Sequence, residues 1–397
     1  MIPLSDAPNP QRVPLVTYAL IAANVLVYLL FNLPLESRPA SRTDPRLAEY
    51  VQTMKQALPP EVPAEALLRN VSEYDLFVWE HGFRPAAPQA VDLLTSMFMH
   101  GGFMHLFGNM LFLWIYGDNV EYRLGRSKYL FWYVVTGLAA TLFFTAVSPG
   151  SLVPMVGASG AISGVLGFYF LWFPRNVVRM FVFLFPFFMN VVTIPARLVL
   201  GFYLFVDNLL PFMFSMGQRG GGVAHGAHIG GFVAGVAVAW LLNRRETNAV
   251  PADLPAVEAD RVPTGGKAVA AAIEAGDMPA AARAYFGLTQ EQSRKVLDPD
   301  ASVALGDWLA ANGNHDAALV VFRRHLRDYP RSPRAAEAHV GAGIIELRAR
   351  RQAAVAYQHF MDALDLDPAP AVAEQARRGI EAIQAMQKYP MRRFASR

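Results

Sequence analysis

Long uncharged stretches, separated by short charged ones, organise the first 245 residues of the chain. A bilayer crossing takes about 20 apolar residues. The uncharged stretch at residues 129–174 contains the turn signal Ser148-Pro149-Gly150, so we expect two crossings there. The other apolar stretches predict one crossing each: residues 13–35, 101–117, 198–213 and 220–243. The pattern therefore predicts an all-α membrane bundle of six helices.

Two features interrupt this pattern. The apolar segment 180–196 contains Pro186 and Pro195, and proline breaks a helix interior. We therefore predict an interfacial loop there. Asp207 lies within the fifth predicted span. A role for Asp207 in substrate gating and a purely structural role both remain open.

The basic residues indicate the orientation of the bundle. They follow the second, fourth and sixth predicted spans: Arg123, Arg126, Lys128, Arg175, Arg179, Arg197, Arg244 and Arg245. Lysine and arginine in short loops mark the cytoplasmic side of a membrane. We therefore expect an integral, multi-pass protein, in a bacterial inner membrane, with both termini in the cytoplasm. Residues 1–13 would be a cytoplasmic segment, and residues 14–245 the membrane domain.

An extracytoplasmic insert is expected at residues 36–92, between the first two spans. A helix is predicted to begin at Asp44-Pro45 and to end at Pro59-Pro60. One face of that helix is apolar: Leu47, Val51, Met54 and Leu58. Two interpretations remain open for this insert. It lies on the membrane or touches substrate, or it is solvated and packs on itself.

The composition changes after residue 245. Residues 246–264 are rich in Ala, Pro and Asp and are expected to form a linker, and residues 265–390 have the pattern of a soluble helical domain. Four pairs share one offset of about 38 residues: Ala318/Ala356, Phe322/Phe360, Leu326/Leu364 and Pro330/Pro368. This spacing resembles tetratricopeptide repeats, whose period is about 34 residues. A plain helical bundle is the alternative, and a repeat domain would imply a cytoplasmic protein partner.

The overall composition excludes several classes of function. The chain of 397 residues is 53% hydrophobic and 17% charged, which is typical of a membrane protein with a soluble part. Its formal net charge of +3 comes without a basic run among aromatic residues, so no nucleic-acid partner is expected. There is no cysteine, which excludes disulfides and thiolate catalysis.

A serine between glycines is the first candidate for chemistry. Ser159 lies in Gly157-Ala158-Ser159-Gly160, at the predicted start of the fourth span. Glycines allow a substrate backbone to approach closely, and the free N–H groups of a helix start can stabilise an oxyanion. A serine hydroxyl becomes a good nucleophile only when a base takes its proton. By itself, however, this motif is also typical of small residues that serve helix packing.

A histidine on the sixth span supplies a candidate base. His228, Gly231 and Gly235 lie on one helical face, and Ser159, Ser163 and Gly167 lie on one face of the fourth span. Small residues let two membrane helices pack closely. We therefore expect Gly231 and Gly235 to face the serine helix and to bring His228 to Ser159. His225 lacks glycine at both i+3 and i+7 and is the less favoured base.

Polar residues on the second span complete the candidate site. His105 and Asn109 are one turn apart and can both donate hydrogen bonds to a developing oxyanion. His100 precedes them and is expected in a loop at the membrane surface. No acidic ligand accompanies these histidines, and H-E-x-x-H is absent, so no metal is expected.

Taken together, the three motifs G-x-S-G, A-H-x-G-G-x-x-x-G and H-x4-H-x3-N resemble the rhomboid family of intramembrane serine proteases. The resemblance extends over residues 14–245 and implies that Ser159 is the nucleophile and His228 the general base. His105 and Asn109, with the backbone N–H of Ser159, would form the oxyanion hole. Gly157, Gly160, Gly231 and Gly235 would support the site. The substrates implied are transmembrane segments of membrane proteins, and no cofactor is implied.

This sequence departs from the family at one position near the site. Many members place an aromatic residue one turn after the serine, beneath the histidine ring, whereas this chain has Ser163. The support of the His228 ring must therefore come from elsewhere. The family uses a Ser-His dyad, and the sequence places no aspartate to serve His228. A non-proteolytic, rhomboid-like scaffold that binds membrane helices is the alternative function, although such scaffolds usually lack the serine or the histidine.

Overall fold

The computed structural model describes residues 1–57, 63–184, 188–215, 224–258, 265–289, 291–294 and 296–387. The chain divides into two compact units. The first comprises Met1–Asp6, Arg12–Trp172 and Val178–Ala239. The second comprises Ala7–Gln11, Phe173–Val177 and Trp240–Arg397.

Helices make up most of the chain up to residue 248, in agreement with the sequence pattern. In chain order the elements are β1 (Ile2–Ala7), α1 (Leu15–Val27), α2 (Leu33–Glu36), α3 (Pro45–Ala57), α4 (Ala64–Asn70), α5 (Glu73–His81), α6 (Asp92–Thr95), α7 (Phe103–Leu124), α8 (Arg126–Val147), α9 (Ser159–Trp172), β2 (Val177–Leu184), β3 (Phe188–Pro195), α10 (Ala196–Leu204), α11 (Leu210–Ser215) and α12 (His225–Asn248). A π-helical turn at Tyr28–Asn32 joins α1 to α2, and a second one at Phe205–Leu209 joins α10 to α11.

The length and composition of these helices indicate a multi-pass membrane protein. Within the described ranges, four helical stretches are long and apolar enough to cross a bilayer: Leu15–Glu36, Arg126–Val147, Ala196–Phe214 and His225–Asn248. Two further predicted spans fall on α7 and α9. The last two turns of α7 carry charged residues, and α9 has only 14 residues. Six crossings thus remain a prediction.

The all-α prediction misses a three-stranded sheet, in which β2 lies between β1 and β3. The prediction of an interfacial loop at residues 180–196 is wrong, because most of that segment forms β2 and β3. These strands are rich in valine and phenylalanine, which favour extended backbone. Pro195 ends β3, where it interrupts no ladder. Pro186 lies outside the described residues.

The insert between the first two predicted spans is helical. Helix α3 begins at Pro45, as predicted, and the apolar side chains of Leu47, Val51 and Met54 are buried. The predicted end of this helix, at Leu58 to Pro60, lies outside the described residues. Trp79 on α5 is also buried, and the Arg84 guanidinium stacks on its ring at 4.0 Å.

Helices α9 and α12 approach each other closely through glycine. A methyl group added to Gly231 would lie 2.1 Å from the carbonyl oxygen of Gly160, and one added to Gly235 would lie 2.0 Å from that of Gly164. A methyl group added to Gly167 would likewise lie 2.2 Å from the carbonyl oxygen of Phe232. The face of α9 that contacts α12 therefore contains Gly160, Gly164 and Gly167. The predicted face contained Ser159, Ser163 and Gly167.

The second unit contains consecutive helices: α13 (Gly266–Glu274), α14 (Met278–Gly287), α15 (Pro299–Ala311), α16 (His315–Asp328), α17 (Ala335–Arg348), α18 (Ala353–Asp365) and α19 (Pro370–Met386). Phe322 of α16 and Phe360 of α18 are fully buried. Phe322 contacts glycines of the helices before and after it, Gly306 and Gly341. Phe360 contacts Gly343 and Gly379 in the same way. The same packing arrangement therefore occurs twice in this unit.

Candidate active site

Ser159 is the first residue of α9, and its hydroxyl faces α12. The Oγ of Ser159 and the Nε2 of His228 are 2.7 Å apart, within hydrogen-bond distance. The close approach of α9 and α12 makes this contact possible, because Gly231 lies one turn after His228 and contacts Gly160. The structure thus brings together the serine and the histidine that the sequence analysis paired.

The second ring nitrogen of His228 also has a partner. Its Nδ1 lies 2.6 Å from the Oδ1 of Asn208, in the π-helical turn between α10 and α11. Asn208 was not among the residues predicted from the sequence, although a polar residue in an apolar span is a functional candidate. The sequence pattern pointed only to the neighbouring Asp207, whose side chain is exposed, whereas Asn208 is 1% exposed.

Two hydrogen-bond donors on α7 face the loop that leads to Ser159. The Nδ1 of His105 accepts a hydrogen bond from the N–H of Gly101 at 3.3 Å. A neutral imidazole that accepts at Nδ1 carries its proton on Nε2. The amide nitrogen of Asn109 is buried and has no hydrogen-bond partner among the described residues. Both side chains therefore present an unused N–H donor.

The two donors converge beside Gly157. A methyl group added to Gly157 would lie 2.8 Å from Nε2 of His105 and 3.6 Å from Nδ2 of Asn109. Gly157 has a φ of +122°, which only glycine adopts readily, and its N–H donates to the carbonyl of Ser96. Glycine at this position therefore keeps open the space into which both donors point.

The candidate nucleophile, the candidate base and the two donors open onto one cavity of about 550 Å³. Ser159, His228, His105 and Asn109 line it, together with Tyr203 of α10. The cavity is large enough for several residues of an extended peptide, since ligand pockets are typically about 300–1,000 Å³.

Two further histidines, His225 and His100, also lie near the site. The Nδ1 of His225 has no partner among the described residues, and its ring lies 6.3 Å from that of His228. His100 lies in the loop before α7, as expected, but its side chain is only 1% exposed. Its ring packs against the edge of His105 at 5.1 Å and helps to hold that side chain.

Comparison with known proteins gives one consistent result. Residues 87–245 match the rhomboid domain family. Rhomboid protein 1, mitochondrial, of Saccharomyces cerevisiae is 30% identical over 158 residues, which are 39% of this chain and 42% of the yeast protein. Rhomboid-like protein 11, chloroplastic, of Arabidopsis thaliana is 30% identical over 169 residues, which are 40% of this chain and 54% of that protein. The chain thus spans about half the length of these two relatives.

A bacterial relative is similar over a shorter stretch. Rhomboid protease GluP of Bacillus subtilis is 40% identical over 75 residues, which are 19% of this chain and 14% of that protein.

Proposed function

Because the chain belongs to the rhomboid family through residues 87–245, we propose that it is an intramembrane serine endopeptidase that cleaves transmembrane segments of other membrane proteins. The 2.7 Å contact between Ser159 Oγ and His228 Nε2 is the observation that carries this proposal. The two unused donors of His105 and Asn109, which point to the same cavity, support it.

In the proposed reaction, a peptide carbonyl enters the cavity beside Gly157. His228 Nε2 takes the proton of Ser159 as Oγ attacks the carbonyl carbon. The charge that develops on the carbonyl oxygen is stabilised by the N–H groups of His105, Asn109 and the Ser159 backbone. Donors that are already in place for this charge are usually the largest single contribution to acyl transfer.

The tetrahedral intermediate then collapses. The bond to the leaving amine breaks, His228 gives its proton to that amine, and an ester to Ser159 remains. A water molecule next attacks the ester and gives its proton to His228. The ester bond breaks, Ser159 recovers its proton, and the new carboxyl end leaves. No metal or cofactor takes part in these steps.

We further propose that both termini are cytoplasmic and that the protein resides in a bacterial inner membrane. The basic loops after the second, fourth and sixth predicted spans support this orientation. It places the active site near the outer surface, and we expect cleavage near the outer end of a substrate helix. Periplasmic and cytoplasmic reporter fusions after Arg245 test the orientation, and activity of the periplasmic reporter would contradict it.

The second unit is proposed to be a tetratricopeptide-like repeat domain that binds a cytoplasmic partner or substrate tail. The repeated packing of Phe322 and Phe360 between glycines supports this interpretation. A pull-down with the full-length protein in detergent should recover a partner, and deletion of residues 265–387 should remove it. Recovery that does not depend on these residues would contradict the proposal.

A serine-reactive fluorophosphonate tests the protease proposal directly. We expect wild-type protein to be labelled at Ser159 and to cleave a single-span reporter protein. Ser159→Ala and His228→Ala should abolish labelling and cleavage, while His225→Ala, the matched control, should retain both. A wild-type protein that binds membrane helices but shows neither labelling nor cleavage would instead be the non-proteolytic scaffold.

A further inference from the structure

A buried amide contacts the candidate base from a third helix. Asn208 lies in the π-helical turn Phe205–Leu209, between α10 and α11. Its Oδ1 is 2.6 Å from Nδ1 of His228, and its Nδ2 donates to the carbonyl oxygen of Tyr203 at 2.9 Å. The side chain is 1% exposed, so water does not compete for either contact.

These two contacts determine how the amide is oriented. The Tyr203 carbonyl can only accept a hydrogen bond, so the NH2 group of Asn208 must face it. The amide oxygen of Asn208 must then face His228, and this oxygen can also only accept. The proton of the neutral imidazole is therefore on Nδ1, and the lone pair of Nε2 faces the hydroxyl of Ser159. This is the tautomer that can take a proton from serine.

We propose that Asn208 is a positioning residue of the active site, which holds His228 in the tautomer and ring orientation that activate Ser159. This inference rests on the proposed protease function. Asn208 acts through His228 and touches neither the substrate nor the serine. It supplies the acceptor that an aspartate supplies in a Ser-His-Asp triad.

The surroundings explain why an amide suits this position. A buried carboxylate without a cationic partner is costly, and the neutral imidazole of the resting enzyme is not such a partner. An amide offers the same acceptor oxygen without a charge. Its second group, the NH2, is satisfied by the Tyr203 carbonyl, so no buried polar atom of Asn208 lacks a partner.

The π-helical turn places Asn208 beside the base, and the end of α10 that precedes this turn is bonded to the serine helix. π-Helical turns often occur at functional sites. The phenol of Tyr203 and the hydroxyl of Ser163 on α9 are 3.0 Å apart and form a hydrogen bond. The segment from Tyr203 to Asn208 therefore contacts both the helix of the nucleophile and the ring of the base. Ser163, where many family members have an aromatic residue, contributes to this connection.

Two substitutions separate the acceptor role from a structural one. Asn208→Asp keeps an acceptor oxygen toward Nδ1 but loses the donor to Tyr203, whereas Asn208→Leu, of similar size, loses both. We expect Asn208→Leu to lower kcat about 10- to 100-fold, with KM changed less than about twofold, because one buried hydrogen bond to the base is lost. Asn208→Asp should be at least about tenfold faster than Asn208→Leu. The fluorophosphonate labelling rates should follow the same order.

Asn24→Leu on α1 is the matched control, because it removes another buried asparagine whose Nδ2 donates to a backbone carbonyl, that of Leu20 at 2.8 Å, at a position that does not line the cavity. It should cleave at nearly the wild-type rate. If Asn208→Asp and Asn208→Leu lose equal activity, the hydrogen bond to the Tyr203 carbonyl is what matters, and the proposal is overturned. Wild-type rates in both variants would also overturn it.

A measurement on the unmodified protein does not depend on how the variants fold. The 15N chemical shifts of a histidine ring distinguish a protonated nitrogen from an unprotonated one. We expect the resonances of His228, assigned by comparison with His228→Ala, to show a protonated Nδ1 and an unprotonated Nε2 in neutral wild-type protein. The opposite tautomer would overturn the proposal. If the wild type is neither labelled nor active, the protease proposal itself has failed, and that result is distinct from a failure of Asn208 alone.

Discussion

The approach of α9 to α12 at Gly231 should control the geometry of the active site, and Gly231→Ala tests this. The added methyl group would lie 2.1 Å from the carbonyl oxygen of Gly160 and 3.1 Å from its carbonyl carbon. Because an ordinary contact between carbon and oxygen is about 3.3 Å, the two backbones must separate by about 1 Å. Neither backbone can avoid the contact by a change of rotamer.

This separation occurs next to the reacting groups. Gly160 follows Ser159 directly, and Gly231 lies one turn from His228 on the same helix. The contact of 2.7 Å between Oγ and Nε2 would lengthen beyond hydrogen-bond distance. Since a misplacement of about 1 Å costs about 100-fold in rate, we expect Gly231→Ala to lower kcat/KM by about that factor. Overpacking should also destabilise the fold by about 1–3 kcal/mol.

The rate of fluorophosphonate labelling and the rate of reporter cleavage are the appropriate assays, with thermal unfolding measured on the same samples. Gly201→Ala on α10 is the matched control, because a methyl group there would meet nothing within 4 Å. Gly235→Ala has a similar clash with Gly164, one turn further from His228, and should destabilise the protein with a smaller loss of activity. A folded Gly231→Ala protein with wild-type labelling would refute the reasoning.

Three further results are expected. Asn109→Ala should lower kcat by about 100-fold, the lower end of the range for loss of one oxyanion donor, because the His105 donor remains. An unchanged rate in the cleavage assay would remove Asn109 from the site. Phe360→Ala should destabilise the second unit by about 3–5 kcal/mol in thermal unfolding, whereas Leu366→Ala, at an exposed side chain, should have little effect. Burial lowers the pKa of His325 and of His339, so the folded second unit binds fewer protons than the unfolded chain. The stability of this unit should therefore be full above about pH 6.5 and fall with acidification. A melting temperature that rises at low pH would contradict this expectation.

The local sequence pattern was sufficient to predict several features of the structure. The spacing of charged residues located most of the apolar helices, because a helix that faces lipid cannot tolerate charge along its length. The sequence motifs also selected Ser159, His228, His105 and Asn109, which line one cavity in the structure. The pattern failed at residues 180–196, where the prolines suggested a loop and the valine and phenylalanine residues formed strands.

The contacts across helices were decided by the tertiary structure. Helical periodicity shows which residues share a face, but not which face meets a neighbour. The sequence pattern therefore predicted Ser163 on the side of α12. In the structure Ser163 bonds to Tyr203 of α10, and Gly160 and Gly164 meet α12 instead. The pattern also indicated no partner for His228, because Asn208 is 20 residues away along the chain and reaches the ring only through a π-helical turn. A motif can identify the reacting groups, but their orientation depends on backbone geometry and on contacts between distant segments.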